Sequence, residues 1–202
     1  MANQYDQKYA QEPFYWGKTP SPFCLKVLEL FPVDRPLRLI DIGCGEGRNA
    51  VFFARNGFQV TAFDRAATGV AKTKQLAEEA GVQINVFEAD MLTYRLTDAF
   101  DVIFCHGCLQ YIPPDMRAPL LEHYKQNTNH DGLNVLSVFV KKPFIEKAPD
   151  AESSAHKWVS GELFTHYHDW RLDFCTETIF DCMSSGVPHK HAMDQLIARK
   201  LV

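Results

Sequence analysis

The stretch Leu37–Asn49 reads Leu-Arg-Leu-Ile-Asp-Ile-Gly-Cys-Gly-Glu-Gly-Arg-Asn and decides the fold. Its first half is an apolar strand, and its second half is a turn with glycine at every other position, Gly43, Gly45 and Gly47. Glycine adopts positive φ at no steric cost and lets a ligand approach bare main chain. A strand that runs into such a turn is typical of α/β folds that bind nucleotides. The alternative, a tight turn with no ligand, is disfavoured because each glycine weakens the local structure.

The charge beside this turn indicates which ligand it binds. The spacing is G-x-G-x-G, whereas dinucleotide-binding folds prefer G-x-G-x-x-G. Asp41 lies between apolar residues just before the turn. Its carboxylate would repel a pyrophosphate and attract a ligand that carries sulfonium and ammonium groups. S-adenosylmethionine is such a ligand, and we therefore expect it to be the cofactor.

Strands and helices alternate around the turn. The strands that the pattern predicts before the C-terminal region are 37–42, 59–63, 82–87, 100–105 and 132–140. The last two strands, 170–177 and 191–200, are separated by too few residues for a crossover helix, so they should form an antiparallel hairpin whose loop carries Cys182, His189 and His191. We therefore expect an α/β fold, a doubly wound Rossmann-like sheet of seven strands, mostly parallel with an antiparallel last strand and helices on both faces.

Length and composition fit one domain. The 202 residues suit a single α/β domain, with 1–20 as an N-terminal lid segment and 141–160 as an irregular excursion on the substrate side. No apolar run approaches the ~18 residues of a membrane span, and the N-terminus lacks a secretory signal pattern. The net charge of -4 provides no basic surface for nucleic acid. Six scattered cysteines favour thiols in the cytoplasm.

Two further acids follow neighbouring strands. Asp64 closes the second strand at the distance from the turn where an acid commonly takes ribose hydroxyls. Asp90 follows the third strand and can accept from an adenine amino group, with Met91 on the ring face. Asp64 could instead be a helix N-terminal carboxylate, and Asp90 a turn-forming residue. Together with Asp41, these acids predict one acidic edge with the glycine turn at its centre.

These features resemble the class I S-adenosylmethionine-dependent methyltransferases, and in detail the small bacterial tellurite-resistance-type family. The segments that carry the resemblance are Tyr15-Trp16-Gly17, Asp41–Asn49, Val60–Asp64 and Gly186–His189. The resemblance implies that the glycine turn meets the methionine part, Asp64 the ribose and Asp90 the adenine. The cofactor contacts that we expect are Trp16, Asp41, Gly43, Gly45, Gly47, Arg48, Asn49, Asp64, Arg65, Asp90, Met91 and Cys105.

The partner that follows is a small-molecule methyl acceptor, and the oligomeric state stays open. Methyl transfer from a sulfonium is an in-line displacement, so orientation supplies most of the rate. An anionic acceptor, such as a thiolate or a metalloid oxyanion, needs no general base, whereas a hydroxyl or a protonated amine does. We expect His189 to act on the acceptor, with His106 and Tyr111 as further catalytic candidates. A solvated loop histidine is the alternative for His189.

The segment Cys105-His106-Gly107-Cys108 departs from the family, whose members usually carry aliphatic or small residues there. Two close cysteines suggest a redox or zinc site, but tetrahedral zinc needs four ligands and no second close cysteine pair exists, although His106 and a loop histidine could contribute. We therefore expect no metal and treat both thiols as small apolar groups. Two other classes stay open: a non-catalytic S-adenosylmethionine-binding sensor and a dinucleotide-dependent reductase.

Overall fold

The structure is a computed structural model of the chain, and it describes residues 4–31, 36–149, 155–183 and 186–201. Residues 1–3 of the expected lid segment and 150–154 of the expected excursion lie outside this description. The chain divides into two compact units, Met1–Phe104 and Cys105–Val202, and the single domain stays a prediction. Within the described ranges, none of the helices is both long and apolar enough to cross a membrane.

The first unit contains a parallel sheet. Its helices are α1 (Gln4–Tyr9), α2 (Phe23–Leu30), α3 (Arg48–Arg55) and α4 (Ala67–Glu79), and its strands are β1 (Arg38–Ile42), β2 (Gln59–Asp64), β3 (Asn85–Glu88) and most of β4 (Phe100–His106). β1 pairs in parallel with β2 and β4, and β2 pairs in parallel with β3. Because parallel strands all end at the same edge, Asp41 and Asp64 come together there with the chain that follows β3.

Burial explains the apolar sequences of the central strands. Leu39, Ile40 and Ile42 of β1 are fully buried, as is Phe104 of β4. The Phe53 ring of α3 packs on the Phe104 ring with centroids 5.1 Å apart. Strands that are covered on both faces need continuous apolar runs rather than alternation. The predicted alternation of strands and helices is confirmed through this unit.

The second unit is mainly antiparallel. Its elements are a 3-10 turn (Leu109–Tyr111), α5 (Pro114–Gln126), β5 (Thr128–Lys141), β6 (Trp158–Val159), α6 (Glu162–Thr165), β7 (Arg171–Cys182) and β8 (His189–Arg199). β8 runs antiparallel to both β5 and β7, which confirms the predicted antiparallel last strand and the hairpin. The predicted α/β class, with mostly parallel strands and an antiparallel end, is therefore correct.

Two details differ from the sequence analysis. Among the residues that the structure describes, the strands number eight instead of seven, because β6 pairs with β5 inside the segment that was expected to be irregular. Trp158 drives this: its ring is fully buried, and its Nε1 donates to the Leu109 carbonyl at 3.1 Å. The hairpin is also longer than predicted, so that Cys182 and His189 form the last pair of the β7–β8 ladder and do not lie in the loop.

Candidate functional site

The glycine turn has the backbone geometry that its sequence predicts. Gly43, Gly45 and Gly47 have φ values of 71°, 58° and 86°, a region that other residues rarely adopt. The N–H groups of Gly43 and Cys44 donate to the Phe63 carbonyl at 2.9 and 3.0 Å. The turn is therefore fastened to the end of β2, and Gly47 leads directly into α3.

The protein's own packing also requires glycine at two of these positions. A Cβ at Gly47 would lie 2.6 Å from Thr73 Cγ2, and one at Gly45 would lie 3.0 Å from the Tyr9 hydroxyl oxygen. Thr73 Oγ1 donates to the Gly45 carbonyl at 3.1 Å. The space that a side chain would need is therefore occupied by Tyr9 of α1 at Gly45 and by Thr73 of α4 at Gly47.

Asp64 holds the turn through its carboxylate. Oδ2 accepts from the Gly45 N–H and Oδ1 from the Ala66 N–H, each at 2.8 Å. Burial raises the pKa of Asp64, while these backbone hydrogen bonds oppose the rise. A carboxylate has about four lone-pair directions, so Asp64 can still accept from the hydroxyls of a ligand. The alternative role, a carboxylate at a helix start, is also present, since Ala66 precedes α4.

Asp41 is the most unusual group in the first unit. Asp41 is only 2% exposed to solvent, and its Oδ2 has no hydrogen-bond partner within the described part of the chain. Burial, and then the charge of Asp64, raise the pKa of Asp41 to about 8, and Arg48 opposes this rise. A buried polar atom without a partner is costly, so a cationic or hydrogen-bond-donating ligand would stabilise this carboxylate.

Glu46, inside the glycine turn, holds the N-terminal segment that was expected to be a lid. Its two carboxylate oxygens accept from the backbone N–H groups of Tyr15 and Trp16, both at 3.0 Å. Lys72 of α4 pairs with the same carboxylate at 3.1 Å, and both side chains are buried. The sequence analysis missed Glu46 and Lys72. An acid inside the turn was a visible signal, but nothing in the sequence linked it to a lysine on α4.

Trp16, whose backbone N–H binds Glu46, makes two further hydrogen bonds. Its Nε1 donates to the Tyr9 hydroxyl at 3.2 Å, and its carbonyl accepts from Arg48 Nη1 at 3.2 Å. The residue is 40% exposed, so part of the indole is open to a ligand. Asn49, in contrast, uses its Oδ1 to accept from the Ser21 N–H at 2.9 Å and so supports the start of α2.

The residues expected near the adenine follow two neighbouring strands. Arg65 comes after β2, and Asp90 and Met91 come after β3. Arg65 Nε is 3.4 Å from Asp90 Oδ2. Asp90 Oδ1 accepts from the Leu92 N–H at 2.9 Å, which is the turn-forming role that was the alternative for this acid. Its other oxygen remains partly exposed beside Arg65, and Met91 is half-buried.

The remaining predicted residues belong to the second unit. Cys105 is fully buried, and its Sγ lies 3.0 Å from Cys108 Sγ. Ser137 Oγ accepts from the Gly107 N–H at 3.0 Å and lies 2.7 Å from His106 Nδ1. A serine hydroxyl has one donor and two acceptor sites, so either Ser137 Oγ or His106 Nδ1 can donate in this contact, and both tautomers of a neutral His106 ring are compatible with it. Tyr111 lies half-buried in the 3-10 turn.

His189 is brought together with a second histidine. Its Nδ1 donates to the Val187 carbonyl at 2.7 Å, and its Nε2 lies 3.0 Å from His191 Nε2. The Nδ1 contact fixes the tautomer, because a carbonyl can only accept. A neutral His189 ring therefore presents a lone pair on Nε2.

Sequence comparison assigns the chain to a family. The model described as "Tellurite resistance protein TehB" matches residues 8–182. The chain belongs to the TehB family. The predicted family is thereby confirmed.

Two curated relatives of this TehB-family chain are named as methyltransferases. A probable S-adenosyl-L-methionine-dependent methyltransferase TehB of Haemophilus influenzae is 22% identical over 81% of this chain and 57% of the relative. A ubiquinone biosynthesis O-methyltransferase of Rickettsia canadensis is 28% identical over 54% of this chain and 46% of the relative. The chain thus spans about half the length of these relatives.

Solved structures share the fold. The crystal structure of TehB from Haemophilus influenzae aligns with a TM-score of 0.79 at 19% identity, over 97% of this chain and 65% of that one. Magnesium protoporphyrin IX methyltransferase from Synechocystis, solved with bound SAH, aligns with a TM-score of 0.66 at 17% identity, over 88% of this chain and 80% of that one. Both agree with the predicted Rossmann-like fold of the TehB family.

Replacing Asp41 with asparagine tests the state of this buried acid. The ordinary carboxyl pKa of 3.8 rises to about 8 in the folded chain, so the folded state holds a proton that the unfolded state has lost. The free energy of unfolding should therefore fall as pH rises between these values, by up to about 1.4 kcal/mol per pH unit from this group. Urea unfolding at pH 5.5 and 7.0 measures this change. The free energy of unfolding should fall clearly less between the two pH values in Asp41→Asn than in the unmodified chain.

The exposed acid Asp98, which pairs with Arg38 at 3.5 Å, provides the control for this measurement. Asp98→Asn should keep the pH dependence of the unmodified chain. Parallel declines for the Asp41→Asn variant and the unmodified chain would contradict a raised pKa at Asp41.

Proposed function

We propose that the chain is an S-adenosylmethionine-dependent methyltransferase that acts on a small-molecule acceptor. The observation that carries this proposal is the carboxylate of Asp41, buried beside a glycine turn with one oxygen lacking a partner within the described residues. A cation is the complement of that group, and a diphosphate is not. Membership of the TehB family, and the names of the curated relatives, support the same class.

The donor groups of the first unit fit such a ligand. Asp64 has acceptor capacity left for ribose hydroxyls, and Asp41 favours the positive end. When bound, the cofactor supplies a methyl group activated on a sulfonium. We propose that main-chain atoms of the glycine turn orient it and that the exposed part of Trp16 covers it against water.

The other predicted contacts keep supporting roles in this proposal. Asp90 and Met91 would take the adenine, with Arg65 holding Asp90. Arg48 would balance the acidic edge, since its charge lowers the pKa of Asp41. The contacts proposed from the sequence alone are Gly43, Gly45, Gly47, Asn49 and Cys105. Of these, Asn49 and Cys105 have their side chains engaged with protein groups.

On the acceptor side, we propose that His189 receives a proton from an acceptor that carries one. Its Nε2 lone pair, fixed by the Val187 carbonyl, is the chemical basis. We propose that His106, held by Ser137 through Nδ1, turns Nε2 toward the acceptor, and that Tyr111 offers its phenol. A thiol and a metalloid oxyanion are the acceptors that we propose to test first, because the anionic forms need no base.

Replacing Asp64 tests the cofactor site. Asp64→Ala removes a carboxylate that would bond to ribose hydroxyls, so the affinity for S-adenosylhomocysteine should fall by about 1 to 3 kcal/mol, roughly 5- to 150-fold. Isothermal titration calorimetry measures this. Glu88→Ala is a matched control, since Glu88 is exposed and pairs with Asp64 across β2 and β3.

The same titrations separate the competing classes. Unchanged affinity of Asp64→Ala would refute the ribose role. Tight binding of NADH in place of S-adenosylmethionine would favour the dinucleotide-dependent reductase. Saturable binding of S-adenosylmethionine with no turnover on selenite, tellurite, thiols or amines would favour the sensor.

Replacing His189 tests the acceptor side. His189→Ala should lower turnover at least tenfold on an acceptor that carries a proton, because a general base contributes about 10²- to 10⁴-fold. Both proteins are treated with a chelator first, so that no metal ion occupies the histidine. The affinity for S-adenosylhomocysteine should stay within about twofold of the unmodified chain. His130→Ala, at an exposed histidine of the same unit, is the control. Full turnover by His189→Ala would remove this residue from the mechanism.

A further inference from the structure

Cys182, His189 and His191 come together at the loop end of the β7–β8 hairpin. Cys182 pairs with His189 across the two strands, and His191 pairs with Phe180. Because side chains alternate between the faces of a strand, all of these residues lie on the same face of the hairpin. One ligand atom from each of Cys182, His189 and His191 lies within 4.8 Å of the others. Each of the three residues is partly buried.

We propose that these three residues bind a Zn²⁺ ion. A thiolate and two imidazoles form a donor set that suits zinc, and three protein ligands leave a fourth position open to water or an anion. The proposal goes beyond the methyltransferase function and does not depend on it. A bound ion would use the Nε2 lone pair of His189, so the proton-accepting role proposed for His189 applies to the metal-free chain. The proposal also departs from the expectation of no metal, which was argued from the Cys105-x-x-Cys108 pair with His106 and a loop histidine as further ligands.

The distances favour this assignment. With Zn–N bonds of about 2.0–2.1 Å and tetrahedral angles, two ligand nitrogens lie roughly 3.3 Å apart, and a nitrogen and a sulfur roughly 3.6 Å apart. The Nε2 atoms of His189 and His191 are 3.0 Å apart. The imidazole pair is therefore close to its chelating separation, and rotation of the short Cys182 side chain, at a strand end, would bring the sulfur the remaining distance.

The surroundings of the histidines orient them for metal binding. The Nδ1 of His189 donates to the Val187 carbonyl at 2.7 Å, which leaves Nε2 unprotonated, as zinc requires. The His191 ring packs against the rings of Phe139 and Phe180, with centroids 4.9 and 5.7 Å apart. A backbone acceptor behind one ligand and aromatic packing around the other are features that position ligands in metal sites.

Charged groups of the hairpin lie on the opposite face. Asp181 and Lys190 pair with each other at 2.7 Å and alternate in sequence with the ligands. Lys190 is thus drawn away from the cluster, where its charge would repel a cation. A direct N–H···N hydrogen bond between His189 and His191 is the alternative explanation of their short separation.

Cobalt substitution distinguishes the two explanations. The full chain, stripped with a chelator and kept reduced, is titrated with Co²⁺ and then with Zn²⁺ in the absence of any methyl donor. We expect one equivalent of Co²⁺ to produce a near-ultraviolet thiolate-to-cobalt charge-transfer band and strong visible bands of four-coordinate cobalt. Addition of Zn²⁺ should bleach both sets of bands.

Two variants identify the ligands, and a third is their control. Cys182→Ser should lose the thiolate band, and His191→Ala should bind Zn²⁺ at least tenfold more weakly, since even outer-shell partners commonly contribute about 10- to 100-fold. Cys175→Ser, at an exposed cysteine of the same strand, should behave like the unmodified chain. Circular dichroism checks that each variant is folded. If His191→Ala does not fold, the loss or survival of the thiolate band in Cys182→Ser decides whether the metal site exists.

Absence of stoichiometric Co²⁺ binding, or a thiolate band that survives in Cys182→Ser, would overturn the metal site. Either result would leave the cofactor titrations of Asp64→Ala unaffected. A failed metal site can thus be told apart from a failed methyltransferase assignment. Because a bound ion would occupy the Nε2 lone pair of His189, the turnover of His189→Ala is compared in chelator-treated protein.

Discussion

The buried carboxyl group of Asp41 is the constraint on which the candidate cofactor site of the first unit depends. Asp41 lies at the end of a strand that is buried along most of its length, where a valine or isoleucine would pack without cost. Its raised pKa shows that the surrounding protein does not compensate the charge, and the guanidinium of Arg48 offsets it only in part. An acid in this position weakens the fold, so its presence is best explained by a ligand that pairs with it.

Two other acids shape the chain around Asp41. Asp64 fixes the glycine turn by accepting from Gly45, and Glu46 fastens the lid segment by accepting from Tyr15 and Trp16. Both carboxylates accept from backbone N–H groups of turns, which have no partner within a helix or a strand. In this arrangement, the turn, the start of α4 and the lid segment are connected through side chains of one charge. The charge of Glu46 is paired with Lys72, so Asp41 and Asp64 are the acids that remain for a cationic ligand.

Much of this arrangement can be predicted from the sequence. The alternation of apolar strands with helices, and the three glycines with positive φ, are local properties, and both appear as expected. Asp41 and Asp64 are found at one edge because the order of parallel strands follows from the topology. The Glu46–Lys72 pair could not be predicted, because it joins residues 26 positions apart through a packing contact. The short strand at Trp158, and the pairing of Cys182 with His189, likewise depend on tertiary contacts that no local pattern records.

The account predicts that binding of the cofactor ionises Asp41. At pH 6.5 this carboxyl is protonated in the free protein, since its pKa is about 8, and a sulfonium beside it would displace the proton. Calorimetric titration of S-adenosylmethionine in buffers of different ionisation enthalpy measures that release. We predict about one proton released per ligand bound by the unmodified chain, and close to none by Asp41→Asn. Binding with equal proton release in both proteins, or no binding by the unmodified chain, would contradict the account.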